Sequence, residues 1–186
     1  MLQPTKEIIE KCKSRDRASL EWLYDQVMPM WMGMSGRYFI NKEDRQHVAN
    51  TAFMKLIDSI KKYEGNGVFE AWCRRIMSNT IIDEYRKQKN WRSGVQLKEE
   101  YQETDIAEEL YSDADEKLSN EDLEQMILTL PVATRGVFNL FAIEGYSHDE
   151  ISAMTGISCG TSKWHVSEAR RILKQLIESK LGYKPM

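Results

Sequence analysis

Four side chains toward the C-terminal end of the sequence have types and spacing suited to contacting a nucleic acid. Lys163, Trp164, Ser167 and Arg171 follow one another at intervals that place them on one side of a helix. Cations and small hydroxyl groups hydrogen-bond to phosphates, and they also reach base edges in the major groove of duplex DNA. This mixture favours DNA contact over simple solvation of that side.

The element that would position these side chains is a predicted helix-turn-helix. Ser147 followed by Glu150 is typical of a capping box, so a helix is predicted to begin there. Gly156 is the residue type most easily placed after a helix end, and Ser158 can cap a second helix. The inner side of that second helix has small and apolar residues at the spacing of a buried stripe, namely Ser162, Val166, Ala169 and Leu173. A helix-turn-helix places its second helix in the major groove, although two short amphipathic helices joined by glycine also occur in ordinary helical bundles.

A second candidate surface lies on a helix predicted from Phe69 to Lys89. The cations on this helix and just beyond its end are Arg74, Arg75, Arg86, Lys87, Lys89 and Arg92. Trp72, Tyr85 and Trp91 are interleaved with them. Cations that follow a single-stranded backbone, with aromatic faces that stack on bases for about 1–3 kcal/mol each, are typical of single-strand binding. The alternatives are that Trp72 packs in the core and that the cations complement the helix dipole.

Charge is unevenly distributed along this chain of 186 residues, whose formal net charge is −3. Between Glu99 and Asp122, eleven acidic residues accompany a single cation, Lys117, so the rest of the chain is net basic. The acidic stretch lacks sustained apolar periodicity and is typical of a solvated linker. We therefore predict an all-α protein with an N-terminal helical domain over residues 1–92, a linker over 93–120 and a helix-turn-helix domain over 121–186.

Apolar residues at helical spacing predict five further helices. These cover Thr5 to Ser14, Ala18 to Tyr38, Asp44 to Tyr63, Asp122 to Thr129 and Ala133 to Glu144. Pro29 lies inside the second of them and predicts a bend.

The remaining residues that could carry chemistry indicate neither an enzyme nor a metal site. Cys12, Cys73 and Cys159 have neither zinc-ligand spacing nor the even number of a disulfide framework, which fits a reducing cytosol. His148 and His165 lack a nearby carboxylate or cysteine constellation, so each is interpreted as a surface or DNA-facing residue. Without a membrane-length apolar run or a signal-peptide core, the protein is predicted to be cytoplasmic. Neither a cofactor nor a small-molecule substrate is predicted, because the sequence shows no nucleophile triad, phosphate-binding glycine loop or paired acids at suggestive spacing.

Three segments together resemble the extracytoplasmic-function (ECF) sigma factors, the minimal type of the bacterial sigma-70 family. The segment FEAWCRRIMSNTIIDEYR, which begins at Phe69, is similar to the family's promoter-melting and minus-ten helix. The C-terminal likeness is carried by Leu130, Pro131, Arg135, Phe138, Glu144, Gly145, Tyr146, Ser147, Glu150, Ile151, Gly160 and Thr161. Pro29, in a helix that precedes the long helix from Asp44 to Tyr63, resembles the start of the family's first domain. The likeness extends over nearly the whole chain.

The resemblance implies a transcription initiation factor that binds core RNA polymerase and promoter DNA, with an anti-sigma factor as a further partner. Its implied minus-thirty-five residues are Thr161, Lys163, Trp164, His165 and Ser167, with Arg170 and Arg171 at the phosphates. Its implied minus-ten residues are Tyr63, Asn79, Asp83, Arg86 and Lys87. Its implied polymerase contacts are His47, Asn50 and Lys55.

The sequence departs from the family pattern at three of the positions that matter for these roles. His47 and Asn50 stand where many relatives have Asp and Gln. Glu168 stands where a cation is usual, and a carboxylate facing phosphates costs affinity unless it accepts from a cytosine amino group. Two alternatives therefore stay open: a stand-alone helix-turn-helix regulator, and an interaction module that binds only protein.

Overall fold

The computed structural model describes residues 2–65, 67–87 and 119–181. Secondary structure in these ranges is helical, without a strand, which confirms the all-α class. The predictions for Lys89, Trp91, Arg92 and most of the linker lie outside the described residues. The chain divides after Glu84 into two compact units, which are treated separately below, and the predicted domain boundaries stay predictions. Within the described ranges, no helix combines the length and the apolar character needed to cross a membrane.

The N-terminal unit is built from helices that begin close to the predicted positions. They are α1 (Lys6–Lys13), α2 (Arg17–Gly36), α3 (Lys42–Ser59), a 3₁₀ turn (Ile60–Lys62) and α4 (Phe69–Lys87), whose last turn extends beyond the unit. The Asp16 carboxylate caps α2 by accepting the Ser19 N–H at 2.9 Å. Helix α2 packs against α3 and buries Leu23, Val27 and Trp31. These residues of α2 are thus part of the core of this unit.

Pro29 lies on the exposed side of α2, which continues as one helix to Gly36. The proline therefore does not end the helix, and the predicted bend stays a prediction.

The C-terminal unit contains the predicted helix-turn-helix and the two helices before it. Its elements are α5 (Asn120–Thr129), α6 (Val132–Phe138), a π-helical turn (Asn139–Ile143), α7 (His148–Thr155) and α8 (Cys159–Leu181). The predicted helix from Ala133 to Glu144 is thus an α-helix that widens into a π turn, where the Glu144 N–H reaches the Asn139 carbonyl at 3.0 Å. Both α6 and α7 pack against α8. The long helix α8 is therefore the scaffold of this unit.

Candidate nucleic-acid interface

Local hydrogen bonds fix the helix-turn-helix where the sequence predicted it. The Ser147 N–H donates to the Glu150 carboxylate at 2.9 Å, and the Glu150 N–H returns a bond to the Ser147 hydroxyl at 3.3 Å. At the end of α7, Gly156 has a φ of 78°, a backbone conformation that residues with a side chain rarely adopt. The Ser158 hydroxyl then accepts the Thr161 N–H at 3.0 Å and caps α8. The predicted capping box and both helix boundaries are confirmed.

Helix α8 has the two sides that the sequence indicated. Its predicted inner stripe is buried and consists of Ser162, Val166, Ala169 and Leu173. On the other side Lys163, Arg170 and Arg171 are exposed, whereas Trp164 and Ser167 are half-buried. We call these five side chains the recognition face. The face is cationic and offers hydroxyl and indole groups, which suits contact with phosphates and base edges.

Two residues predicted to lie nearest the duplex are buried instead. Thr161 is 4% exposed and His165 is 1% exposed. The His165 Nδ1 lies 3.1 Å from the Thr134 hydroxyl on α6, so the imidazole packs α8 against its neighbour. The interpretation of His165 as a surface residue is therefore wrong, because the buried side of α8 is wider than the predicted stripe. Its spacing of three residues from Ser162 and four from Ala169 is the signal that could have shown this.

His148 joins three elements, a role that its sequence position did not reveal. Its ring stacks on Phe141 of the π turn, with centroids 4.4 Å apart and an interplanar angle of 13°. Its Nδ1 lies 2.9 Å from the hydroxyl of Ser162 on α8. Burial lowers the pKa of His148, and the positive charge of Lys163 lowers it further. The neutral imidazole is consequently the form that fits this packing.

Acidification is expected to destabilise the C-terminal unit through His148. Because the pKa of His148 is lower in the folded state than in the unfolded chain, its contribution is present above the ordinary histidine pKa and is lost as pH falls below it. Urea unfolding of the full chain between pH 7 and 5 should show a falling free energy of unfolding for this unit. His148→Gln should flatten that pH dependence. An unchanged slope in this variant would assign the effect to other groups.

In the N-terminal half, α4 exposes polar side chains four residues apart. Arg75, Asn79 and Asp83 recur at this spacing on its surface, and Arg86 and Lys87 are exposed in its last turn. Such spacing aligns the first three along one side of the helix. The surface therefore offers both amide and cationic groups.

An ion pair joins a predicted minus-ten residue to a predicted polymerase contact. The ammonium group of Lys55 on α3 lies 2.7 Å from the carboxylate of Asp83 on α4. Both side chains are about half-exposed, so the pair adds at most about 1 kcal/mol to stability. His47 and Asn50 are also exposed on α3, and the Asn50 side-chain oxygen accepts from the Tyr24 hydroxyl at 3.2 Å.

Tyr63 is an anchor of the loop between α3 and α4 rather than an exposed ring. It is 6% exposed and packs edge-on against Phe69, with centroids 5.1 Å apart, and beside Trp72 at 4.9 Å. Its hydroxyl donates to the Gly67 carbonyl at 3.3 Å. The half-buried Trp72 is thus part of an aromatic cluster, as the core alternative predicted. DNA contact by any of the predicted residues stays a prediction.

Comparison with known families finds a matching family in each half of the chain. The sequence matches the family described as Sigma-70 region 2 over residues 23–91 and that described as Sigma-70, region 4 over residues 120–173. The chain belongs to the sigma-70 family. Two curated relatives of this sigma factor are named as ECF sigma factors, the type that the sequence resembles. Sigma factors are transcription initiation factors, which agrees with the resemblance seen in the sequence.

Two relatives illustrate how much of the sigma factor is shared. This chain is 28% identical to the ECF RNA polymerase sigma factor SigE of Mycolicibacterium smegmatis over 82% of its own length, and the match spans 58% of that longer relative. It is 23% identical to the ECF RNA polymerase sigma-E factor of Haemophilus influenzae, over 92% of this chain and 94% of the relative.

A solved structure shares the fold. It is the sigma factor RpoE in complex with the anti-sigma factor NepR from Bartonella quintana, with a TM-score of 0.53 and 21% identity over 85% of this chain and 96% of that one.

Proposed function

We propose that this sigma factor binds bacterial core RNA polymerase in the cytoplasm and directs promoter-specific transcription initiation. The observation that carries the proposal is the capped helix-turn-helix, whose α8 presents the recognition face in a chain that matches both sigma-70 regions. In this proposal the recognition face reads the minus-thirty-five element as duplex, and the N-terminal domain predicted over residues 1–92 opens the minus-ten element. An initiation factor of this kind acts by binding, so we assign it no catalytic activity.

For the minus-thirty-five element, exposure divides the predicted residues into two groups. Trp164 and Ser167 can reach base edges, Lys163 can reach both base edges and phosphates, and Arg170 and Arg171 can reach phosphates, because these side chains are wholly or partly exposed. Thr161 and His165 are buried, so their proposed role is to hold α8 at the correct angle.

For the minus-ten element, we assign strand contact to the exposed residues of α4: Asn79, Asp83, Arg86 and Lys87. Unstacking a base costs a few kcal/mol, and contacts to the separated strand offset part of that cost. Because Tyr63 is buried, its role is to shape the loop that follows α3.

Polymerase contact is assigned to the exposed side of α3, where His47, Asn50 and Lys55 lie. An anti-sigma factor is proposed as a second protein partner, since a sigma factor of the same fold has been solved with one.

The deciding experiment is a titration of the labelled full chain with purified bacterial core RNA polymerase, followed by duplex DNA added to the free and bound forms. Saturable polymerase binding that switches on sequence-selective DNA binding is the expected result. Duplex binding without polymerase binding would favour the stand-alone regulator. Absence of both would favour the module that binds only protein.

Lys163→Ala is expected to weaken binding of the minus-thirty-five duplex and to flatten its salt dependence. Lys163 is exposed on the recognition face, and each lost phosphate contact lowers the slope of log K against log salt by about 0.9. Lys6→Ala removes the same charge from an exposed position on α1 and should leave the slope unchanged. Equal slopes for Lys163→Ala and the unmodified protein would remove Lys163 from the contact set.

A further inference from the structure

Glu168 forms a two-pronged ion pair with Arg171, a member of the recognition face. The Glu168 carboxylate accepts from Arg171 Nε at 2.8 Å through one oxygen and from Arg171 Nη2 at 2.8 Å through the other. Arg171 Nη1 donates to the side-chain oxygen of Gln175 at 3.2 Å. The guanidinium group has five N–H donors in a fixed fork, and these contacts within α8 engage three of them. Such a paired arginine has little free positive charge to offer a phosphate.

The pair lies close to side chains that are proposed to contact DNA. With 3.6 residues per turn, Arg171 projects within about 40° of both Trp164 and Ser167. Its side chain is 52% exposed, whereas that of Glu168 is 23% exposed at the edge of the same surface. A carboxylate is therefore fixed next to groups that would meet DNA. It also raises the pKa of Arg171 by hydrogen bonding to its charged form, which agrees with a stable pair.

We propose that Glu168 is a specificity-determining residue for duplex DNA, because it holds Arg171 in a neutral pair and thereby lowers affinity for phosphates of any sequence. The inference rests on the proposed function, in which the recognition face meets the minus-thirty-five duplex. Phosphate contacts supply affinity without sequence information, whereas base-edge contacts supply selectivity. Restraining one phosphate contact leaves a larger share of the binding free energy to the base-reading side chains. Glu168 then needs no cytosine partner to account for its position.

Glu168→Gln tests this role, since glutamine keeps the shape of the side chain and removes its charge. The full chain bound to core polymerase is titrated with random-sequence duplexes, and with duplexes selected from that pool by the unmodified protein, at several potassium chloride concentrations. Core polymerase without the chain gives the background. Glu178→Gln is the matched control, since it makes the same change in charge on α8 about 15 Å further along the helix. Thermal unfolding of each variant verifies that it is folded.

The expected result is that Glu168→Gln binds random duplexes about three- to tenfold more tightly, with a salt slope steeper by about 0.9 and a smaller ratio of selected to random affinity. Glu178→Gln should change none of these. In the double variant Glu168→Gln/Arg171→Gln, the affinity for random duplexes should return close to that of the unmodified protein, because a neutral pair has been replaced by two neutral side chains.

Three results would overturn the inference. Weaker binding of random duplexes would mean that Glu168 orients Arg171 toward a phosphate. Loss of discrimination at a single cytosine would mean that Glu168 reads a base, and unchanged affinity and slope would mean that the pair does not affect DNA binding. In each case selective binding by the unmodified protein would leave the proposed function intact. Absence of that selective binding would overturn the proposed function and the inference together.

Discussion

Val166→Asp is expected to unfold the C-terminal unit while the N-terminal unit stays folded. Val166 is 3% exposed on the inner side of α8. A carboxylate placed there would be buried without a partner, which costs several kcal/mol. A helical unit of about 60 residues has only marginal stability to offset such a cost. The cost of burying the carboxylate should therefore exceed the free energy of unfolding of this unit.

The two units can be followed separately in the full chain by the ring-proton NMR signals of histidine. His47 reports on the N-terminal unit, and His148 and His165 report on the C-terminal unit. Val166→Asp should collapse the latter two signals to random-coil positions and abolish duplex binding, while polymerase binding through α3 persists. Gln175→Asp, at an exposed position of the same helix, should change the free energy of unfolding by less than about 0.5 kcal/mol. Native positions for His148 and His165 in Val166→Asp would contradict the assigned inner side.

Helix ends were predictable because the interactions that set them are local. The capping box of Ser147 and Glu150 involves residues three apart, and the left-handed conformation at Gly156 follows from the absence of a side chain. Both can be recognised without knowing what packs against the helix. The same holds for the apolar stripe of α8, whose period depends only on helix geometry.

The width of that buried side was not predictable to the same degree. Helix α8 contacts both α6 and α7, so it is covered over a wider arc than one neighbour would cover. Polar residues at the edge of the stripe are buried when a neighbouring helix supplies a hydrogen-bond partner. His165 is inside beside Thr134, a residue 31 positions earlier in the chain. Whether such a partner exists is decided by tertiary packing, which periodicity does not report.

Ion pairs between different helices were also not predictable from local sequence. The bond between Lys55 and Asp83 joins residues 28 positions apart, and nothing in either local sequence indicates it. Glu168 and Arg171 are only three residues apart, a spacing at which opposite charges on a helix attract. That pair could have been predicted.

Asn79→Ala is expected to impair promoter opening while sparing the closed complex. Asn79 is exposed on α4 between Arg75 and Asp83, each one turn away. Its amide can both donate to and accept from the Watson–Crick edge of a base, and that edge is accessible only after the base has left the duplex. Loss of one such hydrogen bond costs about 1–3 kcal/mol, which corresponds to a roughly 5- to 150-fold smaller population of open complex. The closed complex relies on the recognition face and should form normally.

Permanganate reactivity of unpaired thymines in the minus-ten element measures opening, and retention of labelled promoter by the polymerase complex at low temperature measures the closed state. Gln26→Ala removes an exposed amide from α2 and should leave both measurements unchanged. Reduced reactivity with normal retention in Asn79→Ala would locate the defect at strand separation, because duplex recognition precedes it. Full reactivity would exclude Asn79 from strand capture and leave Arg86 and Lys87 as the residues of α4 to test next. Reduced retention would instead mean that α4 already contacts the duplex before it opens.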